Sequence, residues 1–148
     1  IWFFVSMELC ATIVLAWHFV VLIKPSDRTK EADEAESRLR ARKEVPGVDV
    51  LIPTYNEPED ILKRTIRAAV RLDYPDFKVS VLDDGARKWL EDFCRECSVS
   101  YVVRPDRKAF KAGNLNHAIK HTEKPLICVV DADFALEPNF LMRTVGLL

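Results

Sequence analysis

A three-layer α/β domain with a mainly parallel sheet, preceded by one transmembrane helix, is the fold class the sequence predicts. Two observations predict it. Residues 1–23, IWFFVSMELCATIVLAWHFVVLI, form a nearly unbroken apolar run. From Val48 onward, short β-branched runs alternate with stretches of helical spacing, the pattern of parallel strands joined by crossover helices.

The apolar run has the length of a bilayer-spanning helix, about 20 residues. It is too long for the apolar region of a signal peptide and has no small-residue cleavage site before Lys24. Lys24, Arg28, Lys30, Arg38, Arg40, Arg42 and Lys43 follow it, and cations just after a span favour the cytoplasmic side. Glu8 and His18 interrupt the span; such residues face neighbouring helices or the headgroups. Residues 26–44, SDRTKEADEAESRLRARKE, read as a solvated interfacial helix or linker, with Ser26 or Asp27 as its cap and its acids ahead of its bases, as the helix dipole prefers. The expected organisation is therefore a span at 1–23, a polar helix or linker at 24–46, and a domain at 47–148.

With 148 residues and a formal net charge of −1, the chain is about one domain long and carries no bulk field toward nucleic acid. It also lacks the aromatic-plus-basic stripe of single-strand binders. Cys10, Cys94, Cys97 and Cys128 are scattered, as expected of reduced thiols facing the cytosol.

Within the domain, VDVLI from Val48 is the first strand. EPEDILKRTIRAAVRL follows as a helix with Ile61, Leu62, Thr65, Ile66, Ala69 and Val70 on one side. KVSVL is the second strand, and ARKWLEDFCREC the next helix, with Trp89, Leu90, Phe93 and Cys97 as its apolar face. VSYVV is the third strand, KAGNLNHAIKH a helix, LICVV the fourth strand. EPNFLMRTVGLL starts a last helix, with Pro138 suited to its first turn. Ligands of such sheets bind beyond the carboxyl ends of the strands. Those ends open into PTYNEP, DDG, RPDRKAFKAGNLN and DAD, so the polar residues are predicted on one edge of one sheet.

Each stretch has a chemistry that suits that edge. Two carboxylates one residue apart, Asp131 and Asp133, repel each other unless a cation lies between them, and hard divalent ions take carboxylate oxygens while keeping places for phosphate and water. KAFKAGNLN supplies Lys108 and Lys111, with Arg104 just upstream, for a diphosphate; Gly113 allows close backbone approach. Asn114 and Asn116 read equally well as helix caps. DDG offers Asp83 or Asp84 to a base imide or a ribose hydroxyl, and the spacing does not choose between them. Tyr55 adds an aromatic face and Glu57 an acceptor. The lone Cys94–Cys97 pair lacks the second pair of a zinc site, and His117 with His121 lacks the Glu of HExxH; both read as ordinary helix residues.

The ordered set PTYNEP, DDG, KAGNLN and DAD behind a membrane helix resembles the processive family 2 glycosyltransferases of the bacterial cellulose synthase type, over essentially the whole chain. The resemblance implies a GT-A, Rossmann-like fold, here part of a domain, that binds a UDP-sugar. The nucleotide-sugar-binding residues would be Thr54, Tyr55, Glu57, Asp83, Asp84, Lys111, Gly113, Asn114, Asp131 and Asp133. Asp83 and Asp131 would be catalytic, and Asp131 and Asp133 would hold Mg²⁺ or Mn²⁺. It further implies a growing polysaccharide acceptor, inverting transfer from UDP-glucose, and a multi-pass protein of the inner (plasma) membrane with a cytoplasmic catalytic domain and further transmembrane helices or subunits. Relatives also carry a Thr-Glu-Asp motif with the general base and a Gln-x-x-Arg-Trp motif for the acceptor. Neither occurs in these 148 residues, so they are expected to be the N-terminal part of a longer enzyme and inactive alone. Three other readings compete: a hyaluronan- or chitin-type synthase using another UDP-sugar, a haloacid-dehalogenase-type phosphatase, and a non-catalytic membrane-tethered nucleotide-binding module.

Overall fold

A computed structural model describes residues 2–23, 27–106 and 110–148. Lys24, Ser26 and Lys108, named above as topology signal, cap and phosphate ligand, lie outside the described residues. The chain divides into two compact units, residues 1–31 and 32–148.

The first unit holds helix α1, Trp2–Ile23, and the start of helix α2, Thr29–Arg40. The 22 residues of α1 span about 33 Å at 1.5 Å per residue, enough for the ~30 Å hydrocarbon core. Apart from Glu8 and His18 the helix carries apolar residues round its whole circumference and buries none of them, as a membrane anchor does. Its polar side chains bond back into the helix: Ser6 donates to the Trp2 carbonyl at 2.6 Å, Thr12 to the Glu8 carbonyl at 2.8 Å, and the His18 ring meets the Val14 carbonyl at 2.8 Å. Such bonds lower the cost of hydroxyl and imidazole groups in hydrocarbon. Asp27 caps α2 by accepting from the Thr29 N–H at 2.9 Å.

The second unit holds a four-stranded parallel sheet in the order β3-β2-β1-β4. The strands are β1 Val48–Thr54, β2 Phe77–Asp83, β3 Ser100–Val102 and β4 Leu126–Val129. Helices α3 (Glu59–Val70), α4 (Lys88–Glu96), α5 (Phe110–Ile119) and α6 (Phe140–Val145) alternate with them. Val48, Val50 and Ile52 of β1 and Val79 and Val81 of β2 face Leu62, Ile66 and Ala69 of α3, Leu90 and Phe93 of α4, and Leu141 and Met142 of α6. Leu51 and Leu82 point to the opposite face, against Ala118 and Leu115 of α5. This period of two on the strands places helices on both faces.

Four features differ from the expectations. One face of α2 is packed rather than solvated: Ala35 and Leu39 are buried, and Arg143 of α6 reaches Asp33 at 2.6 Å. The glycine that caps α6 fits this packing, since a Cβ on Gly146 would lie 2.7 Å from the Ala35 carbonyl oxygen. Helix α6 begins at Phe140, after Asn139, so Pro138 precedes the first turn. Strand β4 is an edge strand and only half covered, with Ile127 and Val129 exposed by 41% and 47%. Finally, β1 runs two residues past VDVLI, through Pro53. Leu51 accepts from Val130 on the β4 side and Thr54 from Asp84 on the β2 side. By alternation Pro53 faces β4, beyond the point where β4 pairing stops at Val129, so its missing N–H removes no ladder bond.

Candidate functional site

The carboxyl ends of β1 and β2 lie side by side, with Thr54 in register with Asp83. The two loops that leave them are fastened together. Asp84 N donates to the Thr54 carbonyl at 3.0 Å. A Cβ on Gly85 would sit 2.6 Å from the Tyr55 carbonyl oxygen, so this crossing accepts only glycine.

Asp83 is the hub beneath the loops. It is 0% exposed. Its Oδ1 accepts from Gly85 N at 2.8 Å, and its Oδ2 from Arg87 N at 2.7 Å and from the Tyr101 hydroxyl at 2.8 Å. The Arg87 guanidinium pairs with it at 3.0 Å. Ala86 takes a left-handed φ of 52° between the two N–H donors, which turns the chain back over the carboxylate. Burial pushes the Tyr101 phenol well above its ordinary range, and its hydrogen bond to the Asp83 carboxylate adds to the effect.

Arg87 carries the same network across to β1. Its Nη2 donates to Thr54 Oγ1 at 2.7 Å and its Nη1 to the Glu57 carbonyl at 3.1 Å. Glu57 turns inward, accepting from the Thr54 hydroxyl and, at 2.8 Å, from Tyr55 N. Burial alone would raise the Glu57 carboxyl, but those two hydrogen bonds and the charge of Arg87 hold it below the usual carboxylate range.

A cavity of about 320 Å³ opens above this floor, lined by Pro53, Tyr55, Glu57, Asp84, Phe110 and Lys111. That is the small end of the size range for ligand sites. Asp84 faces it, with its carboxylate held by Arg104 through two bonds of 2.7 Å. Lys111, from the first turn of α5, lines the cavity and pairs through its ammonium with Asp131. Asp131 and Asp133 are exposed on the turn that follows β4, closed by Phe134 N donating to the Asp131 carbonyl at 3.0 Å.

The structure therefore sorts the residues singled out in the sequence. Tyr55, Glu57, Asp84 and Lys111 meet at one cavity, and Lys111 links it to Asp131. Thr54 and Asp83, expected at the ligand, lie underneath and do not line it. Asn114 is buried and donates to the Leu82 carbonyl at 2.8 Å, so it ties α5 to the end of β2 rather than capping a helix. Gly113 lies within α5 and borders a separate hollow with Arg104, Asn116 and His117. Arg104, expected to meet a diphosphate, is buried against Asp84. Arg87, Tyr101 and Phe110 carry little signal in the sequence, beyond the position of Arg87 and Phe110 beside DDG and KAGN. Cys94 is buried, and burial pushes its thiol up to about 12; His117 and His121 pack edge to face at 5.2 Å.

Among the described residues no three His, Cys, Asp or Glu side chains form a closed metal cage. The donor set at the turn still fits Mg²⁺ or Mn²⁺, which bind through one or two carboxylates and take their remaining ligands from phosphate and water. The Lys111 ammonium on Asp131 is a cation already drawn to this position.

A parallel α/β domain with its polar residues gathered at the carboxyl edge, beside an exposed DxD turn, has the architecture of a nucleotide-sugar transferase of the GT-A type. Residues 49–148 match the model of glycosyl transferase family 2, and the chain belongs to that family. It is 42% identical over 144 residues to the cellulose synthase catalytic subunit (UDP-forming) of Pseudomonas fluorescens, covering 96% of this chain and 19% of that protein. With the subunit of the same name from Xanthomonas axonopodis pv. citri it shares 35% identity over 141 residues, 94% of this chain and 19% of the relative. The chain thus spans about a fifth of the length of these relatives.

Among solved structures, a mannosyltransferase from Pyrobaculum calidifontis in complex with GDP-Man and Mn²⁺ superposes with a TM-score of 0.61 at 22% identity, over 95% of this chain and 43% of that one. Glucosyl-3-phosphoglycerate synthase from Mycobacterium tuberculosis, in complex with Mn²⁺, UDP and glucosyl-3-phosphoglycerate, gives a TM-score of 0.55 at 19% identity, over 80% of this chain and 42% of that one. These likenesses establish the GT-A-like fold.

Proposed function

We propose that this chain is the donor-binding part of a membrane-bound processive glycosyltransferase that uses a UDP-sugar, UDP-glucose foremost, to extend a β-linked polysaccharide such as cellulose. The observation that carries this reading is the Lys111–Asp131 ion pair, which joins the cavity holding Asp84 and Tyr55 to the DxD turn. A nucleoside diphosphate has that layout: a flat base at one end, and charge at the other. The names of the relatives, UDP-forming cellulose synthase subunits, support the choice of donor.

In this reading Asp84, fixed by Arg104, accepts from the base, and Tyr55 offers its ring. Arg87 and Asp83 position both loops from below. Lys111 leaves Asp131 for the diphosphate as the donor enters. Asp131 and Asp133 would hold Mg²⁺ or Mn²⁺, which supplies charge neutralisation for the departing UDP. An acceptor hydroxyl gives its proton to a carboxylate general base and displaces UDP at the anomeric carbon with inversion, and Lys111 stabilises the charge that grows on the leaving diphosphate. Helix α1 anchors the domain at the membrane, with Arg28 and Lys30 marking the cytoplasmic side. Glu8 and His18 face partner helices of a multi-pass assembly at the inner membrane.

Calorimetric titration of the chain in lipid nanodiscs, with Mn²⁺, tests the donor. UDP and UDP-glucose are expected to bind at least ten-fold more tightly than GDP, and Asp84→Ala to remove the preference. Equal affinity for GDP and UDP, or no binding of either, would overturn the reading. Tighter binding of UDP-N-acetylglucosamine than UDP-glucose would assign the chain to a hyaluronan- or chitin-type synthase instead.

A further inference from the structure

Phe110 occupies an unusual position. It is the first residue of α5 and 85% exposed, with a left-handed φ of 45°. A large ring left in water and a bulky residue in the left-handed region are each unfavourable, and the combination calls for a cause. The backbone is held in place: Arg104 Nη2 donates to the Phe110 carbonyl at 3.0 Å. The same buried guanidinium grips Asp84 through its two 2.7 Å bonds. One cation therefore fixes both the carboxylate of the cavity and the root of the ring at its rim.

Phe110 lines the cavity together with Tyr55, which is 63% exposed. Two uncovered aromatic rings, a carboxylate held by a buried arginine, and a lysine ammonium make a particular chemical demand. The matching group has apolar π faces, an N–H at its edge and an anionic tail. A heterocyclic base carrying a diphosphate meets all three requirements, and stacking is the usual way aromatic side chains hold such bases.

We infer that Phe110 is a second base-stacking residue of the donor site, acting with Tyr55 and locked to Asp84 through Arg104. The inference rests on the donor reading above and adds a residue that sets affinity for the nucleoside rather than for the diphosphate. Phe110 contributes no charge and moves no proton, so its effect falls on binding of the base alone.

The test compares two probes on the chain in nanodiscs with Mn²⁺: UDP, and inorganic pyrophosphate, which lacks the base. Phe110→Ala is expected to weaken UDP about ten-fold, in line with the measured worth of base–aromatic stacking, and to leave pyrophosphate within two-fold. Phe110→Tyr should restore UDP affinity, whereas Phe110→Leu, which keeps bulk but has no π face, should not. Unchanged UDP affinity in Phe110→Ala, full affinity in Phe110→Leu, or an equal loss for UDP and pyrophosphate would each overturn the stacking role while leaving the donor reading intact. Failure of the unsubstituted chain to bind UDP while it binds pyrophosphate would overturn both.

Discussion

Replacing Asp83 by Asn separates support of the site from contact with the ligand. The substitution keeps size and shape at a fully buried position. The amide oxygen can still accept from Gly85 N, now at 2.8 Å from Asp83 Oδ1. The amide nitrogen then faces Arg87 N, which donates to Oδ2 at 2.7 Å. One N–H loses its acceptor, at a cost of about 1–3 kcal/mol. The Tyr101 hydroxyl can rotate and accept, so it adds little. Losing the charge partner of Arg87 costs about 3–5 kcal/mol for a fully buried pair. Arg87 retains its bonds to Thr54 and Glu57 and some access to water, which places the loss at the low end. The sum is about 4 kcal/mol, a large share of the ~5–15 kcal/mol of a typical domain, and corresponds to a fall in Tm of roughly 15 °C. Thermal and guanidinium unfolding followed by circular dichroism measure it. Below the lowered Tm, affinity for UDP should stay within about three-fold of the unsubstituted value, since stability and not contact has been removed. A variant of normal stability that no longer binds UDP would refute this reasoning and return Asp83 to the ligand.

Three further perturbations follow from the same geometry. Gly85→Ala would drive a Cβ into the Tyr55 carbonyl at 2.6 Å; it should destabilise by about 1–3 kcal/mol and weaken UDP by parting the two loops, and wild-type stability with normal binding would contradict the crossing. Thr65 is buried in α3, and its hydroxyl has no hydrogen-bond partner among the described residues; Thr65→Val should stabilise by about 1 kcal/mol in guanidinium unfolding, and a loss of stability would reveal a partner. Glu57 has a folded pKa below its ordinary 4.5, so its contribution to stability is present above pH ~4.5 and is lost as pH falls through the folded value. Glu57→Gln should flatten the acid limb of a pH–stability curve, and an unchanged limb would show that Glu57 is not held as described.

Much of this was legible in the sequence because it depends on period and order. Alternating strands and helices gave the parallel sheet, and the rule of the carboxyl edge pointed to Tyr55, Glu57, Asp84 and Lys111, which line one cavity. What escaped depends on the third dimension. DDG supplies two adjacent carboxylates that must point opposite ways, but only their partners, Arg87 and Tyr101 for Asp83 and Arg104 for Asp84, decide that Asp83 lies beneath the loops and Asp84 lines the cavity. Arg87 reaches Thr54 across 33 positions of sequence, a separation that no local pattern reports. LICVV reads as a buried strand because its residues are apolar, whereas its place at the edge of the sheet leaves Ile127 and Val129 open. The polar composition of α2 hid the two residues, Ala35 and Leu39, that dock it.

In the proposed donor site Asp131 and Asp133 hold a divalent cation with the diphosphate while Lys111 yields its place on Asp131. Electron paramagnetic resonance of Mn²⁺ added to the chain in nanodiscs measures this directly, because the signal of free Mn²⁺ falls as the ion is bound. Mn²⁺ alone should be retained weakly, Mn²⁺ with UDP strongly, and that retention should be lost in Asp131→Asn and Asp133→Asn. UDP binding that proceeds equally with and without Mn²⁺, and is unaffected by either substitution, would contradict that arrangement.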